Sequence, residues 1–184
     1  MTTERDRMLH YLLNEAPRLP AAVVRQKLAV SHTALEAELQ GLGEEDVGER
    51  RDGRWSIREV VDHLAQTNIR AAEELRHLLA GRRPPNPPVY EGLLSGGAAR
   101  APLSELIAGL IDSNAELQAV LAAAVDEGNQ QVTAKTIVVV NSSEDDGRVE
   151  AVVLPLELEW RAYAMVQRLH AIDHRKEVAR LRGR

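Results

Sequence analysis

WSIREVVDHLAQT, residues Trp55–Thr67, is the stretch whose reading decides the fold. Ser56 and Glu59 stand in Ser-x-x-Glu spacing, in which each side chain can satisfy a backbone N–H left free at a helix start. Ile57, Val60, Val61 and Leu64 follow at intervals of one, three and four, and the stripe continues through Ala71, Leu75, Leu78 and Leu79. That period is helical. The stretch therefore predicts an amphipathic helix that opens at Ser56 and ends near Gly81.

Three further segments carry the same period. Val23, Val24, Leu28, Leu35, Leu39 and Leu42 predict a helix from Ala21 to Leu42. Leu103, Leu106, Leu110, Leu117, Val120 and Leu121 predict another, which follows Pro102 and fades at DEGNQ. A last helix is predicted from about Leu156 to Leu181, with Leu158, Tyr163, Val166, Leu169, Ile172, Val178 and Leu181 as its stripe. Ahead of these, TERDRMLHYLLNEA gathers Met8, Leu9, Leu12 and Leu13 on one side of a short helix that Pro17 and Pro20 end.

The connections differ in kind. GLGEEDVGERRDG is a polar, glycine-punctuated loop. GRRPPNPPVYEGLLSGGAARAP holds four prolines between positions 84 and 88 and the Gly96-Gly97 pair, which excludes regular structure. Connections this long inside a compact domain tend to be functional. In a bundle they also let consecutive helices run parallel by crossing over. TAKTIVVVNSSEDDGRVEAVVLP sets two β-branched runs around the turn-rich NSSEDDG, the pattern of a β-hairpin, with Pro155 marking its end. The expectation is one mainly all-α domain over residues 1–184. It is a four-helix bundle with a long crossover loop between helices two and three, a short N-terminal helix, and a β-hairpin before the last helix.

Composition agrees. The chain has 184 residues, 44% hydrophobic and 28% charged, with aromatics at 3% and no Phe, so its core is built from Leu, Val, Ile and Ala. A net charge of -5 argues against a sequence-independent grip on nucleic acid, which needs a field of Lys and Arg. Zero Cys excludes disulfides, thiolate metal sites and Cys nucleophiles. The first twenty residues lack the apolar run of a signal peptide and no stretch approaches membrane-span length, so a cytoplasmic location is expected.

Six histidines supply the chemistry. His170 and His174, in RLHAIDHRKEV, are four apart on one helix, so their Cβ atoms lie about 5–6 Å apart and two imidazoles can aim at one point. Metal–nitrogen bonds of about 2.0–2.1 Å make that point an ion position. Spacing alone does not establish a site, because such pairs are commonly solvated. His63 sits two turns into the second long helix, at the edge of its buried face; by itself it reads as a core-edge histidine. His10 lies in the N-terminal segment, and His32 could reach the interior without a partner at useful spacing. His77 is about four turns beyond His63 and far along the axis.

GRWSIREVVDHLAQT followed far downstream by LHAIDHRKEV resembles the DinB/YfiT-like metal-binding four-helix bundles. The matching positions are Trp55-Ser56 at the helix start, His63-Leu64 for the first ligand, and His170 with His174 for the pair. The resemblance, which spans about Val23 to Leu181, implies a divalent metal held by His63, His170 and His174. Zinc or nickel suits imidazole ligands. It also implies hydrolysis by activated water, or transfer that uses a low-molecular-weight thiol such as bacillithiol or mycothiol. A small-molecule substrate and a homodimer are expected, with no nucleic acid and no membrane as partner. The hairpin and the Pro-rich loop depart from a minimal member, and either could cover the site or build a dimer surface.

Other polar residues near the histidines are Glu59, Asp62, Gln66, Thr67, Gln167 and Asp173, and none is singled out as a general base. Trp55 reads as a packing cap on the helix start rather than a substrate platform. Tyr163 shares the side of His170 and reads as core rather than pocket lining. The RRPP run reads as solvated loop, with an anion-binding patch for a thiol as the alternative. Alternatives to an enzyme remain: a non-catalytic metal- or ligand-binding stress protein, or a dimeric helical interaction module whose histidines bind nothing.

Overall fold

The structure, a computed structural model, describes residues 3–46, 55–90, 92–97, 100–127, 131–143 and 149–182. Part of the polar loop after the first long helix (47–54), three residues of the Pro-rich connection (91, 98 and 99), residues 128–130, and the hairpin turn at 144–148 lie outside them. The elements are α1 (Glu4–His10), α2 (Ala21–Leu39), α3 (Ile57–Leu79), α4 (Leu103–Ala122), β1 (Ala134–Ser143), β2 (Val149–Leu158) and α5 (Trp160–Arg182).

Local chemistry sets the ends of α3. At its start Ser56 Oγ accepts from Glu59 N–H, and Glu59 Oε2 accepts from Ser56 N–H at 2.9 Å, the predicted reciprocal cap. At its close Gly81 takes φ 69°. Gly81 N–H then reaches the Leu78 carbonyl at 3.0 Å and Arg82 N–H the His77 carbonyl at 2.9 Å. This is the left-handed helix stop that glycine adopts without steric cost. α2 ends at Leu39, three residues before the predicted Leu42, because the chain turns extended at Gln40 and left-handed at Gly41 (φ 75°).

Contacts between helix ends give the strand of chain its directions. Arg58, at the start of α3, bonds both Glu44, just past α2, and the Ala101 carbonyl, just before α4. Leu103 N–H donates to Glu44 at 2.6 Å. About three turns further along, Asn68 on α3 donates to Asn114 on α4 at 2.7 Å. So α3 and α4 run parallel, and residues 80–102 cross the full length of the bundle as expected of a crossover. α5 runs with α2: Arg161 donates to the Leu19 carbonyl at 2.9 Å at one end, and Arg182 to the Glu38 carbonyl at 2.5 Å at the other. The order is up, down, down, up.

Around the bundle α3 packs on α4 and α5, and α2 packs on α5 and α4. The second and fourth long helices, α3 and α5, are neighbours, as a shared site of His63, His170 and His174 requires. Among the described residues α2 and α3 are not close-packed neighbours, because the parallel α3–α4 pair puts α2 diagonally across from α3. Two buried clusters fill the interior. One gathers Leu12, Val24, Leu28, Leu75, Leu117, Trp160 and Met165; the other gathers Leu35, Leu39, Ile57, Val60, Leu64, Leu110 and Val178. Burying each such side chain contributes about 1.5–3 kcal/mol.

Two expectations need correction. Leu13 is half exposed, away from Met8, Leu9 and Leu12. The N-terminal helix widens over Tyr11–Glu15, where Ala16 N–H reaches back five residues to the Tyr11 carbonyl, and the extra residue turns Leu13 outward. Pro155 does not end the hairpin. It pairs with Ile137 inside β2, which runs to Leu158, so α5 begins at Trp160 rather than Leu156. A two-stranded ladder leaves each strand an open edge, where the missing proline N–H costs no bond. Ala134, Val138, Leu154 and Leu158 point to the core from alternate positions. Glu159 then caps α5, accepting from Ala162 N–H at 2.8 Å.

Candidate metal centre

His63 comes from the second turn of α3, and His170 and His174 from successive turns of α5. The antiparallel contact of these two helices brings all three together. His63 Nε2 lies 2.9 Å from His170 Nε2, and His174 Nε2 lies 3.0 Å from the same atom. The rings stand nearly edge to face, at 83° and 89°. His63 is buried, and the other two are partly so.

The second nitrogen of two rings is fixed. His63 Nδ1 lies 3.0 Å from the Leu93 carbonyl, which can only accept, so that nitrogen carries the proton. His174 Nδ1 lies 2.8 Å from Glu177 Oε2 and donates to it. Glu177 is held ionised, its pKa lowered chiefly by the hydrogen bond from His174. Burial, then the proximity of His174, pushes His63 down to about 4, against a smaller opposing pull from the Leu93 carbonyl and Asp62. His170 is driven well below its ordinary value, first by burial and then by His174 and His63.

These facts make the cluster compatible with a bound divalent cation. With their Nδ1 atoms protonated, His63 and His174 both turn Nε2 lone pairs toward His170 Nε2. A single N–H on His170 can satisfy only one of them. A divalent ion satisfies all three at once. Bonds of about 2.0–2.1 Å put neighbouring donors about 2.9 Å apart at a right angle and about 3.3 Å apart in a tetrahedron. The two separations, 2.9 and 3.0 Å, are of that size. The three residues form a group whose ligand atoms all lie within 4.8 Å of one another. A carbonyl or carboxylate on the far nitrogen orients the ring and raises its basicity.

The crossover connection passes over this cluster. Besides the Leu93 carbonyl, it offers Ser95 N–H, which donates to Asp62 Oδ2 at 2.6 Å. Asp62, only 2% exposed, thus anchors the loop rather than touching the histidine nitrogens. Trp55 lies 4.5 Å from the His63 ring and 6.0 Å from that of His174, nearly parallel to the latter at 16°.

The remaining expected neighbours divide clearly. Glu59 serves the helix cap. Asp173 is exposed and faces Lys176 at 3.4 Å. Gln66 is half-buried. Thr67 Oγ1 and Gln167 Oε1 are buried without a hydrogen-bond partner among the described residues. Tyr163 belongs to the core, where its hydroxyl donates to Glu74 at 2.6 Å. His10 is exposed beside Glu15, and His32 is buried in α2. Arg83 extends toward Glu157 on the hairpin at 4.0 Å, both largely exposed. Sequence reasoning missed Glu177, the Leu93 carbonyl and the contact of Trp55 with two ligand rings. Only Glu177 left a trace, three residues beyond His174 on the same helix.

The family model of the DinB superfamily matches residues 27–145, nearly two thirds of the 184 residues. That span holds His63 and the crossover; the pair on α5 lies beyond it. No curated protein and no solved structure matches the chain. A long match over three of the four bundle helices, with a histidine cluster between α3 and α5, has one reading: the chain belongs to the DinB superfamily.

Proposed function

We propose that this protein is a metal-dependent enzyme acting on a small molecule, with a divalent ion held by His63, His170 and His174. One observation carries the reading: three imidazole Nε2 atoms from two helices meet at hydrogen-bond distance, with two of the rings locked into the tautomer that frees the lone pair. Three neutral protein ligands leave coordination positions open, the arrangement of catalytic rather than structural sites. When bound, the ion supplies Lewis acidity, which makes water or a thiol nucleophilic near neutral pH.

The chain's own groups do the rest. Leu93 and Glu177 hold the rings in place, and Asp62 holds the loop that carries Leu93. Burial keeps His63 and His170 unprotonated well below neutrality, so the ligands stay available across the physiological range. The reactions that fit are hydrolysis of an ester or amide and transfer of a low-molecular-weight thiol. Zinc and nickel both suit the donor set.

The test is metal analysis of the purified protein, followed by turnover of ester, amide and thiol-conjugate substrates with each metal restored. About one equivalent of metal, lost in His63→Ala, His170→Ala and His174→Ala, is expected, with activity following metal content. Metal without turnover would reduce the reading to a metal-binding protein. Unchanged metal content in all three variants would remove the site. Mass measurement in solution tests the expected homodimer.

A further inference from the structure

Trp55 stands between two things that matter to the site. Its ring meets both histidine rings, with centroids 4.5 Å from His63 and 6.0 Å from His174. Its Cζ2–Cη2 edge meets the crossover at Gly92. A Cβ placed on Gly92 would fall 2.3 Å from Trp55 Cζ2 and 2.4 Å from Cη2, closer than any side chain tolerates. Gly92 is followed directly by Leu93, whose carbonyl takes the His63 Nδ1 proton, and then by Ser95, whose N–H binds Asp62. The loop is therefore fastened at residues 92, 93 and 95 to Trp55 and the second turn of α3, and the first of these contacts exists only because residue 92 lacks a side chain.

We propose that Trp55 is a positioning residue for the metal centre, packed on both the Gly92 backbone and the rings of His63 and His174 so that loop docking and metal binding form one coupled equilibrium. The inference rests on reading the triad as a metal site. With the indole in place, the His63 and His174 rings have less freedom to turn away, and the Leu93 carbonyl stays within reach of Nδ1. Any side chain at 92 pushes the indole or the loop aside, and both ring supports loosen together. Outer supports of this kind set metal affinity by about 10–100-fold.

The test uses the fact that the chain has two tryptophans. The second, Trp160, is wholly buried in the other core cluster. In a Trp160→Phe background the emission reports Trp55 alone; should that variant not fold, the difference between parent and Trp55→Phe spectra isolates the same signal. Adding Ni²⁺ is expected to quench Trp55 emission in step with occupancy. Gly92→Ala is expected to red-shift that emission in the metal-free protein and weaken Ni²⁺ binding about tenfold. Trp55→Ala is expected to weaken it comparably, and Gly92→Ala should then add nothing, because coupled residues are not additive. A Gly92→Ala cost that persists in the Trp55→Ala background overturns the proposal while leaving the metal site intact. A parent protein that binds no Ni²⁺ or Zn²⁺ overturns both this proposal and the functional reading; an emission shift on Gly92→Ala would then show that only the packing contact survives.

Discussion

His63 and His170, 107 positions apart in the chain, bring their Nε2 atoms to 2.9 Å. A third Nε2 lies 3.0 Å from His170, so on the proposed reading an ion bound among the three stabilises the folded chain. Ligand that binds only the native state stabilises it by about 2.7 kcal/mol at a hundredfold excess over Kd. Thermal denaturation with and without Zn²⁺ or Ni²⁺ should therefore show an upward shift in the parent. His63→Ala and His170→Ala should lose that shift and still unfold cooperatively without metal. A metal-induced rise that survives in both would place the ion elsewhere.

Glu177 accepts the Nδ1 proton of His174 at 2.8 Å, which fixes the tautomer that leaves Nε2 free. Glu177→Ala removes that support and is expected to weaken metal binding about 10–100-fold. Glu177→Gln keeps an acceptor oxygen but not the charge, so it should fall between the parent and Glu177→Ala. Calorimetric titration of the metal-free proteins checks this order.

Tyr163 shares a helix with the ligand pair, yet its hydroxyl is spent on Glu74 Oε2 at 2.6 Å, while Arg70 Nε holds the other oxygen at 2.8 Å. Tyr163→Phe leaves a buried carboxylate oxygen without its donor, at a cost of about 1–3 kcal/mol. Stability should drop in urea denaturation while metal content and affinity stay at parent values. Loss of metal in this variant would move Tyr163 from the core to the site.

Arg161 is 2% exposed and ties three separate segments: Nε donates to Leu19 at 2.9 Å, Nη2 donates to Asp126 at 2.6 Å, and the guanidinium lies 4.4 Å over the Trp160 ring. Its Nη1 also lies 3.7 Å from the buried Glu159 carboxylate, and breaking a buried ion pair by removing one partner typically costs about 3–5 kcal/mol. Arg161→Met is expected to reach that range, and Arg161→Lys should recover little, because one ammonium cannot span two carbonyls in a fixed fork. Denaturation midpoints of the two variants decide this; a lysine that restores the parent midpoint would show charge alone to be enough.

How much of this lay open in the sequence follows from which forces are local. Stripes at helical spacing and the Ser56–Glu59 cap are local, and they placed the start of α3 at its cap and its end within two residues of Leu79. The pair on α5 was legible for the same reason, since His170 and His174 share one helix. That α2 sits diagonally from α3 depends on the crossover taking α4 to the parallel position, which no short pattern encodes. Pro155 misled because a two-stranded hairpin exempts it from the rule for central strands. The Leu93 support is a backbone carbonyl, and a carbonyl leaves no mark on residue type.

His32 gives the pH dependence a clear source. It is 3% exposed, and neither Nδ1 nor Nε2 has a hydrogen-bond partner among the described residues. Burial disfavours the imidazolium and pushes its pKa down to about 4. In the unfolded chain the value returns to about 6.5. Above that pH the ring is neutral in both states and contributes nothing. As pH falls from about 6.5 toward 4 the unfolded chain takes up a proton that the native protein refuses, so native stability declines. Below about 4 both states are protonated and the loss levels off, at most on the order of 3 kcal/mol from this ring. His63 and His170 are also lowered without metal, so the parent's profile carries their coupled titration as well. Comparing metal-free parent with His32→Leu isolates the one residue. The variant should be more stable at pH 7 by about 1 kcal/mol, since two unpaired nitrogens are gone. Its advantage should widen steadily down to pH 4.5. Urea denaturation across that range reads the difference, and parallel profiles for the two proteins would mean that His32 finds water or a partner when it protonates.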